Sequence, residues 1–79
     1  MPIELTTELE VIKHQLTKWL MQKGYIPKFT YIGLNDDGEI YIELEAKGLT
    51  DMEKAIYLSR EAEKFLNNDD VIVAIYPED

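Results

Sequence analysis

The sequence contains no cysteine and only one histidine, His14. Without cysteine the chain can form neither a disulfide nor a thiolate metal site, and one imidazole cannot build a multi-histidine zinc site. A glycine-rich phosphate loop, a nucleophile elbow and a metalloprotease helix motif are absent as well. We therefore expect no metal site, no cofactor and no enzymatic activity.

Basic residues are scarce. The sequence has 8 lysines and arginines and 16 aspartates and glutamates, which gives a formal net charge of −8. Binding to phosphate backbones depends chiefly on Lys and Arg, so this charge disfavours direct binding of nucleic acid. No apolar run approaches the roughly 20 residues that span a bilayer, and residues 1–10 lack the basic and apolar regions of a signal peptide. We expect a cytoplasmic protein with no membrane partner.

The chain of 79 residues is shorter than a typical domain, and no linker or low-complexity segment divides it. We therefore expect a single compact domain over residues 1–79. A core of this size alone rarely contributes more than about 3–5 kcal/mol of stability. Because disulfides and metals are excluded, tight packing or self-association is left as the source of further stability.

An amphipathic segment near the start predicts a helix. Thr7 and Glu10 have the spacing of a capping box, so we expect the helix to begin near Glu8. Gly24 is expected to end it, since glycine adopts the left-handed conformation at helix ends readily. The apolar residues between them recur at helical spacing and predict a buried stripe of Leu9, Ile12, Leu16, Trp19 and Leu20.

From Lys28 the hydrophobic period changes to two, so residues 28–34 and 39–46 predict the strands of a β-hairpin. The intervening Asn-Asp-Asp-Gly favours a type I turn closed by a left-handed Gly38, which sets Leu34 opposite Ile40. One face of the hairpin is then aliphatic. The other face is expected to carry Phe29, Tyr31, Tyr41, Glu43 and Glu45.

A second capping box, Thr50 with Glu53, predicts a second helix that ends near Asn67. Residues 71–76 are apolar and mostly β-branched, and they predict a buried strand, central in the sheet and parallel to a neighbour. The expected inward stripe of the second helix is Met52, Ala55, Ile56, Ser59, Ala62 and Leu66.

The element order is α-β-β-α-β, with a further short strand at residues 3–5 as an open alternative. With that strand the chain has the βαββαβ order of ferredoxin-like folds, in which both helices lie on one side of an antiparallel sheet. Without it, the last strand can pair parallel to the second hairpin strand in a three-stranded mixed sheet. In both cases we expect an α+β two-layer sandwich, order (β)αββαβ, with two helices packed on one face of a three- or four-stranded sheet.

Three local patterns have a functional interpretation, and each has a simpler one. His14 can act as a general acid or base, but it lies on the polar side of the first helix with no Ser or Cys nucleophile signature nearby. The hairpin turn resembles a calcium loop, except that Gly33 and Leu44 occupy the first and twelfth positions, where Asp and Glu are needed. Glu43 and Glu45 can pair for acid and base chemistry, although a half-exposed strand face explains them. We interpret all three patterns as structural.

Aromatic side chains beside charged ones on an uncovered sheet face are typical of recognition surfaces, although cross-strand pairing that only stabilises the strands is a simpler explanation. RRM-like proteins stack RNA bases on such aromatics, but their surfaces are basic, whereas here the charged neighbours are glutamates. We predict a small acidic, non-enzymatic protein-interaction module. It is expected to bind a protein partner or, as a homo-oligomer, a second copy of itself through Phe29, Tyr31, Tyr41, Glu43 and Glu45.

Two alternative functions stay open. The charge of −8, concentrated near one hairpin, is also expected of an inhibitor that imitates nucleic acid and blocks a nucleic-acid-binding protein. Such mimicry needs a continuous band of carboxylates, so mixing with lysines and arginines counts against it. An RNA-binding or small-ligand domain is the less favoured alternative, and a small ligand requires a concave pocket with converging polar groups.

Overall fold

The computed structural model describes the backbone of residues 3–78 and the side chains of residues 7–78. Two helices and three strands follow one another as α1 (Ile3–Gln22), β1 (Ile26–Leu34), β2 (Ile40–Lys47), α2 (Met52–Leu66) and β3 (Val71–Pro77). The sheet has the order β1-β2-β3, in which β1 is antiparallel to β2 and β3 is parallel to it. The predicted α+β sandwich is confirmed in its three-stranded form, with the element order of ferredoxin-like folds minus their first strand.

Helix α1 begins earlier than the capping-box spacing predicts. The backbone is already helical at Ile3, so residues 3–5 belong to α1 and form no strand. Residues 3–6 contain neither proline nor glycine, the two residue types that disfavour a helix most. The expectation of a helix start near Glu8 is therefore wrong, because nothing upstream of Thr7 stops the helix.

The hairpin turn forms as predicted. The Asn35 nitrogen donates to the Glu39 oxygen at 2.9 Å, and the Gly38 nitrogen donates to the Asn35 oxygen at 3.1 Å. Gly38 has a φ of +80°, a left-handed conformation that glycine adopts at little cost. The side-chain oxygen of Asn35 also accepts a hydrogen bond from the Glu39 nitrogen at 2.8 Å. Leu34 faces Ile40, so the register next to the turn is confirmed.

A β-bulge further along β1 changes the register. The pairing with β2 shifts at Thr30 and sets Phe29 opposite the buried Leu44. One extra residue on a strand turns the side chains beyond it to the other face of the sheet. Phe29 packs half-buried against the core, with the Lys13 ammonium 5.6 Å from its ring centre. The prediction that Phe29 shares a face with Tyr31 is wrong for this reason.

The core lies between the sheet and the two helices. Alternate residues of β2 and β3 are buried on one face, and buried side chains of both helices pack against them. Both helices therefore lie on the same face of the sheet, as predicted. The buried cluster is Leu9, Ile12, Leu16, Leu20, Ile40, Ile42, Leu44, Ala46, Leu49, Ala55, Leu58, Ala62, Val71, Val73 and Ile75.

Helix α2 has a residue-specific cap at each end. Its N-cap is Asp51, not the predicted Thr50, because the Asp51 carboxylate accepts a hydrogen bond from the Glu53 nitrogen at 3.0 Å. At the other end Asn67 is left-handed, with a φ of +51°, and its nitrogen donates to two carbonyls of the last helical turn. The predicted end near Asn67 is confirmed.

The residues that α2 buries differ from the predicted inward stripe, because β3 lies at an edge of the sheet. The parallel pairing of β3 is confirmed, but its predicted central position is wrong. Met52 and Ile56, which were expected to point inward, are 51% and 54% exposed and line a surface depression beside β3. The buried residues of α2 are Ala55, Leu58 and Ala62.

Candidate interaction face

One face of the sheet is not covered by any helix within residues 3–78. Its side chains come from alternate positions of the three strands, because neighbours in register point to the same side of a sheet. None of these side chains is fully buried. We call this set the open face: Tyr31 of β1, Tyr41, Glu43 and Glu45 of β2, and Ile72, Ala74 and Tyr76 of β3.

Tyrosines dominate the exposed area of the open face. Tyr31 is 49% exposed and Tyr76 is 41% exposed. The rings of Tyr31 and Tyr41 lie 5.9 Å apart at 55°, a tilted arrangement that aromatic pairs favour. The Tyr31 ring extends along β1 over Gly33, where an added Cβ atom would lie 2.8 Å from the Tyr31 hydroxyl. Any other residue at position 33 would bring its Cβ atom against the Tyr31 side chain, so glycine makes this position of the ring possible.

The carboxylate of Glu43 is held in the middle of the open face by two hydroxyl groups. Thr30 Oγ1 lies 3.1 Å from Glu43 Oε2 and donates to it, and the Tyr41 hydroxyl donates to Glu43 Oε1 at 3.2 Å. Thr30 Oγ1 also lies within 3.1 Å of the Glu43 main-chain oxygen. The bulge at Thr30 thus supplies a donor to Glu43. A carboxylate that already accepts hydrogen bonds costs less to cover than a bare one.

The pKa of Tyr41 is raised above the ordinary tyrosine value. The main cause is partial burial of its hydroxyl, followed by the hydrogen bond to Glu43 and the proximity of Tyr76. A raised pKa favours the neutral phenol in the folded state, so this contribution to stability is present below about pH 10 and is lost as the pH rises through the raised pKa. Near neutral pH, Tyr41 is therefore an uncharged hydrogen-bond donor.

The two ends of the open face differ in charge. At one end the exposed Lys28 lies opposite Glu45 in the register, and Lys47 ends β2 on the same side of the molecule as Glu78, so this end carries charges of both signs. At the other end, the Ile40 nitrogen donates to the Asp70 oxygen at 2.8 Å, which brings the turn before β3 next to the hairpin. Exposed aspartates in these two turns make that end acidic: Asp36, Asp37, Asp69 and Asp70.

The structure brings together most of the residues that the sequence singles out. Tyr31, Tyr41, Glu43 and Glu45 share the open face, whereas Phe29 lies on the opposite side of the sheet. Sequence reasoning missed the β3 contribution of Ile72, Ala74 and Tyr76. The signal that could have found them is the alternation of side chains along a strand. When helices cover only one side of β3, residues 72, 74 and 76 point away from the side that residues 71, 73 and 75 face.

The other candidate residues occupy ordinary surface positions. His14 is exposed on α1, where it lines a shallow depression together with Val11 and Gln15. Among the side chains of residues 7–78, no group of three or more His, Cys, Asp or Glu is placed to hold a metal ion. In the same part of the chain, neither helix combines the length and the apolar character needed to cross a membrane.

Comparisons with known proteins assign no family to the chain. No protein-family model matches it, and neither the curated proteins nor the solved structures contain a significant match. The open face is then the feature from which a function can be inferred.

Proposed function

We propose that the protein is a non-enzymatic interaction module that forms a weak homodimer through its open face. The observation that supports this most directly is a tyrosine-rich side of the sheet that no helix of residues 3–78 covers. Tyrosine buries a large area with few rotatable bonds and offers a hydroxyl at its tip, and it is enriched in protein interfaces. Such a face gains free energy when a second surface covers it.

The edges of the sheet are less suitable for a partner. On β1, Pro27 has no amide proton and the bulge at Thr30 interrupts the regular edge. On β3, two backbone amides donate to side chains of α2, Ser59 and Glu63. A partner that binds the sheet is therefore expected to meet the open face rather than an edge.

The charges around the open face favour a second copy as the partner. Two copies related by a two-fold axis across the strands lie antiparallel, so the end with Lys28 and Lys47 meets the aspartate end of the other copy. Parallel stacking instead brings the two aspartate ends together, and like-charge repulsion disfavours it. The carboxylate of Glu43 already accepts hydrogen bonds from Thr30 and Tyr41, which lowers the cost of covering it.

The small area of the open face is typical of weak complexes. Three strands about 4.8 Å apart and about seven residues long cover roughly 14 by 23 Å. Two such faces bury on the order of 700 Å² in total, which is less than the roughly 1,200 Å² of a stable complex. We therefore expect a reversible dimer with a dissociation constant on the order of 100 μM.

Mimicry of nucleic acid is supported less well. The aspartates of the two turns form a local acidic cluster, but the carboxylates of α2 are interleaved with cations. Arg60 lies 3.8 Å from Glu63, and Lys64 lies 3.9 Å from Glu61. A mimic requires a continuous band of negative charge, and these pairs interrupt it.

Sedimentation equilibrium of the full chain tests the proposed dimer. Between about 10 μM and about 1 mM, the weight-average mass is expected to rise from the monomer value toward twice that value. The monomer mass is 9.2 kDa. A mass that stays at the monomer value across this range contradicts the proposal.

A further inference from the structure

The outer edge of β3 is closed by side chains of α2, although no strand pairs with that edge within residues 3–78. Amides at alternate positions of a strand point to the same side, and those of Val73 and Ile75 point away from β2. The Val73 nitrogen donates to Glu63 Oε2 at 3.0 Å, and the Ile75 nitrogen donates to Ser59 Oγ at 2.9 Å. Two donors that an incoming strand would use are thus already occupied.

Both closing side chains are held in position by a second contact. The Ser59 hydroxyl donates to the Ala55 oxygen at 2.9 Å, so its lone pairs are left to accept from the Ile75 nitrogen. The other oxygen of Glu63, Oε1, lies 3.8 Å from the Arg60 guanidinium, and the Glu63 side chain is only 26% exposed. The two residues are one turn apart on α2 and follow the β3 edge.

The strand behind this edge has the composition of a segment that self-associates. Residues 71–76 are Val-Ile-Val-Ala-Ile-Tyr, without charge, proline or glycine, which is the signature of segments that form cross-β pairs. Charged or proline residues flank it: Asp69 and Asp70 before it, Pro77 and Glu78 after it. Natural proteins protect such edges, because a row of free backbone groups recruits further strands.

Helix α2 lies beside the outer edge of β3. Two surface depressions follow its outer edge, one beside Val71 and Ile72 and the other beside residues 73–76, with side chains of α2 on the far wall. Met52 and Ile56 supply an apolar wall to the second depression. Because the serine side chain is only two bonds long, the hydrogen bond from the Ile75 nitrogen to Ser59 Oγ brings the backbone of α2 against the edge at this point. The helix therefore occupies the place of an incoming strand at Ile75, and a strand can add there only if the hydrogen bonds from α2 are lost and the helix moves away.

We propose that Ser59 and Glu63 hold α2 against the β3 edge and so keep it closed to strand addition, and that β3 of a second copy is the strand the edge accepts once these bonds are lost and α2 moves away. Two β3 edges related by a two-fold axis pair antiparallel, and the uncharged segment of each copy then lies against itself. This role does not depend on association through the open face, since the edge and the face use different groups of β3.

The variant Ser59→Ala with Glu63→Ala tests the proposal, with Glu61→Ala as the control. Glu61 lies on the same helix, pairs with Lys64 and carries the same charge as Glu63. Both proteins also carry Tyr31→Glu and Tyr41→Glu, so that the open face does not contribute to association. In dilute protein, amide hydrogen exchange at Val73 and Ile75 is expected to accelerate about tenfold or more in the variant and to stay unchanged in the control.

At higher concentration, the variant is expected to form dimers or larger assemblies with nuclear Overhauser contacts between β3 strands of different copies. Faster exchange without association up to about 1 mM overturns the proposal, and so does unchanged exchange in a folded variant. If the combined variant does not fold, single substitutions replace it. Ser59→Ala must expose the Ile75 amide alone, and Glu63→Gln, which keeps an acceptor oxygen, must leave Val73 protected; any other pattern overturns the proposal.

Discussion

Replacing Tyr31 and Tyr41 with glutamate is expected to abolish dimer formation up to about 1 mM. The double substitution removes the tilted pair of rings and places two further carboxylates beside Glu43. A two-fold axis repeats each new charge on the opposite copy, and covering unpaired charges costs several kcal/mol. A dimer with a binding free energy of about −5 kcal/mol does not tolerate that loss. Sedimentation equilibrium measures the effect.

A matched variant shows whether the loss depends on the position of the new charges. Val11→Glu with Tyr57→Glu adds the same charge at residues that are 50% and 62% exposed on the helical side of the molecule. This variant is expected to dimerise like the unmodified chain, and far-UV circular dichroism should show both variants folded. Equal loss of association in the two variants would mean that net charge, not the open face, controls assembly.

The substitution Leu44→Ala is expected to unfold most of the protein. Leu44 is fully buried on the central strand, at 0% exposure. Truncating a buried leucine costs about 2–5 kcal/mol, which is similar to the roughly 3–5 kcal/mol that a core of this size supplies. Urea denaturation at low protein concentration, followed by circular dichroism, measures the free energy of unfolding.

The next residue on β2 provides the control for this substitution. Glu45 points to the open face and is partly exposed, so Glu45→Ala is expected to change the free energy of unfolding by less than about 1 kcal/mol. The contrast between adjacent positions follows from the alternation of side chains along a strand. Similar losses at both positions would contradict the assignment of one face to the core and the other to solvent.

The parts of the fold that the sequence predicts correctly depend on local signals. The turn from Asn35 to Gly38 is specified by its own side chains and a left-handed glycine, so it fixes the register of Leu34 with Ile40. The apolar stripe of α1 follows from helical periodicity alone, and Leu9, Ile12, Leu16 and Leu20 are buried as expected, with Trp19 half-buried.

The predictions are wrong where the local sequence allows two structures equally well and tertiary contacts select one of them. Phe29, Thr30 and Tyr31 are all good strand formers, so no local signal marks the bulge. The bulge allows Phe29 to pack against the core while the Thr30 hydroxyl bonds to Glu43, and both contacts are distant in sequence. The wrong placement of Phe29 beside Tyr31 has this origin, since the bulge moves Phe29 off the open face.

The errors in the predicted helix boundaries and strand order have a similar cause. Thr50 and Asp51 are both good capping residues, and only the hydrogen bond to the Glu53 nitrogen distinguishes them. An apolar run such as residues 71–76 suits a central strand or an edge strand that a helix protects. The choice depends on α2, whose Ser59 and Glu63 accept hydrogen bonds from the β3 edge. The hydrophobic periodicity of the sequence gives no information about these hydrogen bonds.

Amide chemical shifts measured from about 20 μM to about 1 mM test most directly whether the open face is the surface of association. Concentration-dependent shifts are expected at Tyr41, Glu43, Ala74 and Tyr76, with no change at Leu16 of α1 or Ala62 of α2. Shifts confined to the helices, or spectra that do not change with concentration, would contradict a dimer built on this side of the sheet.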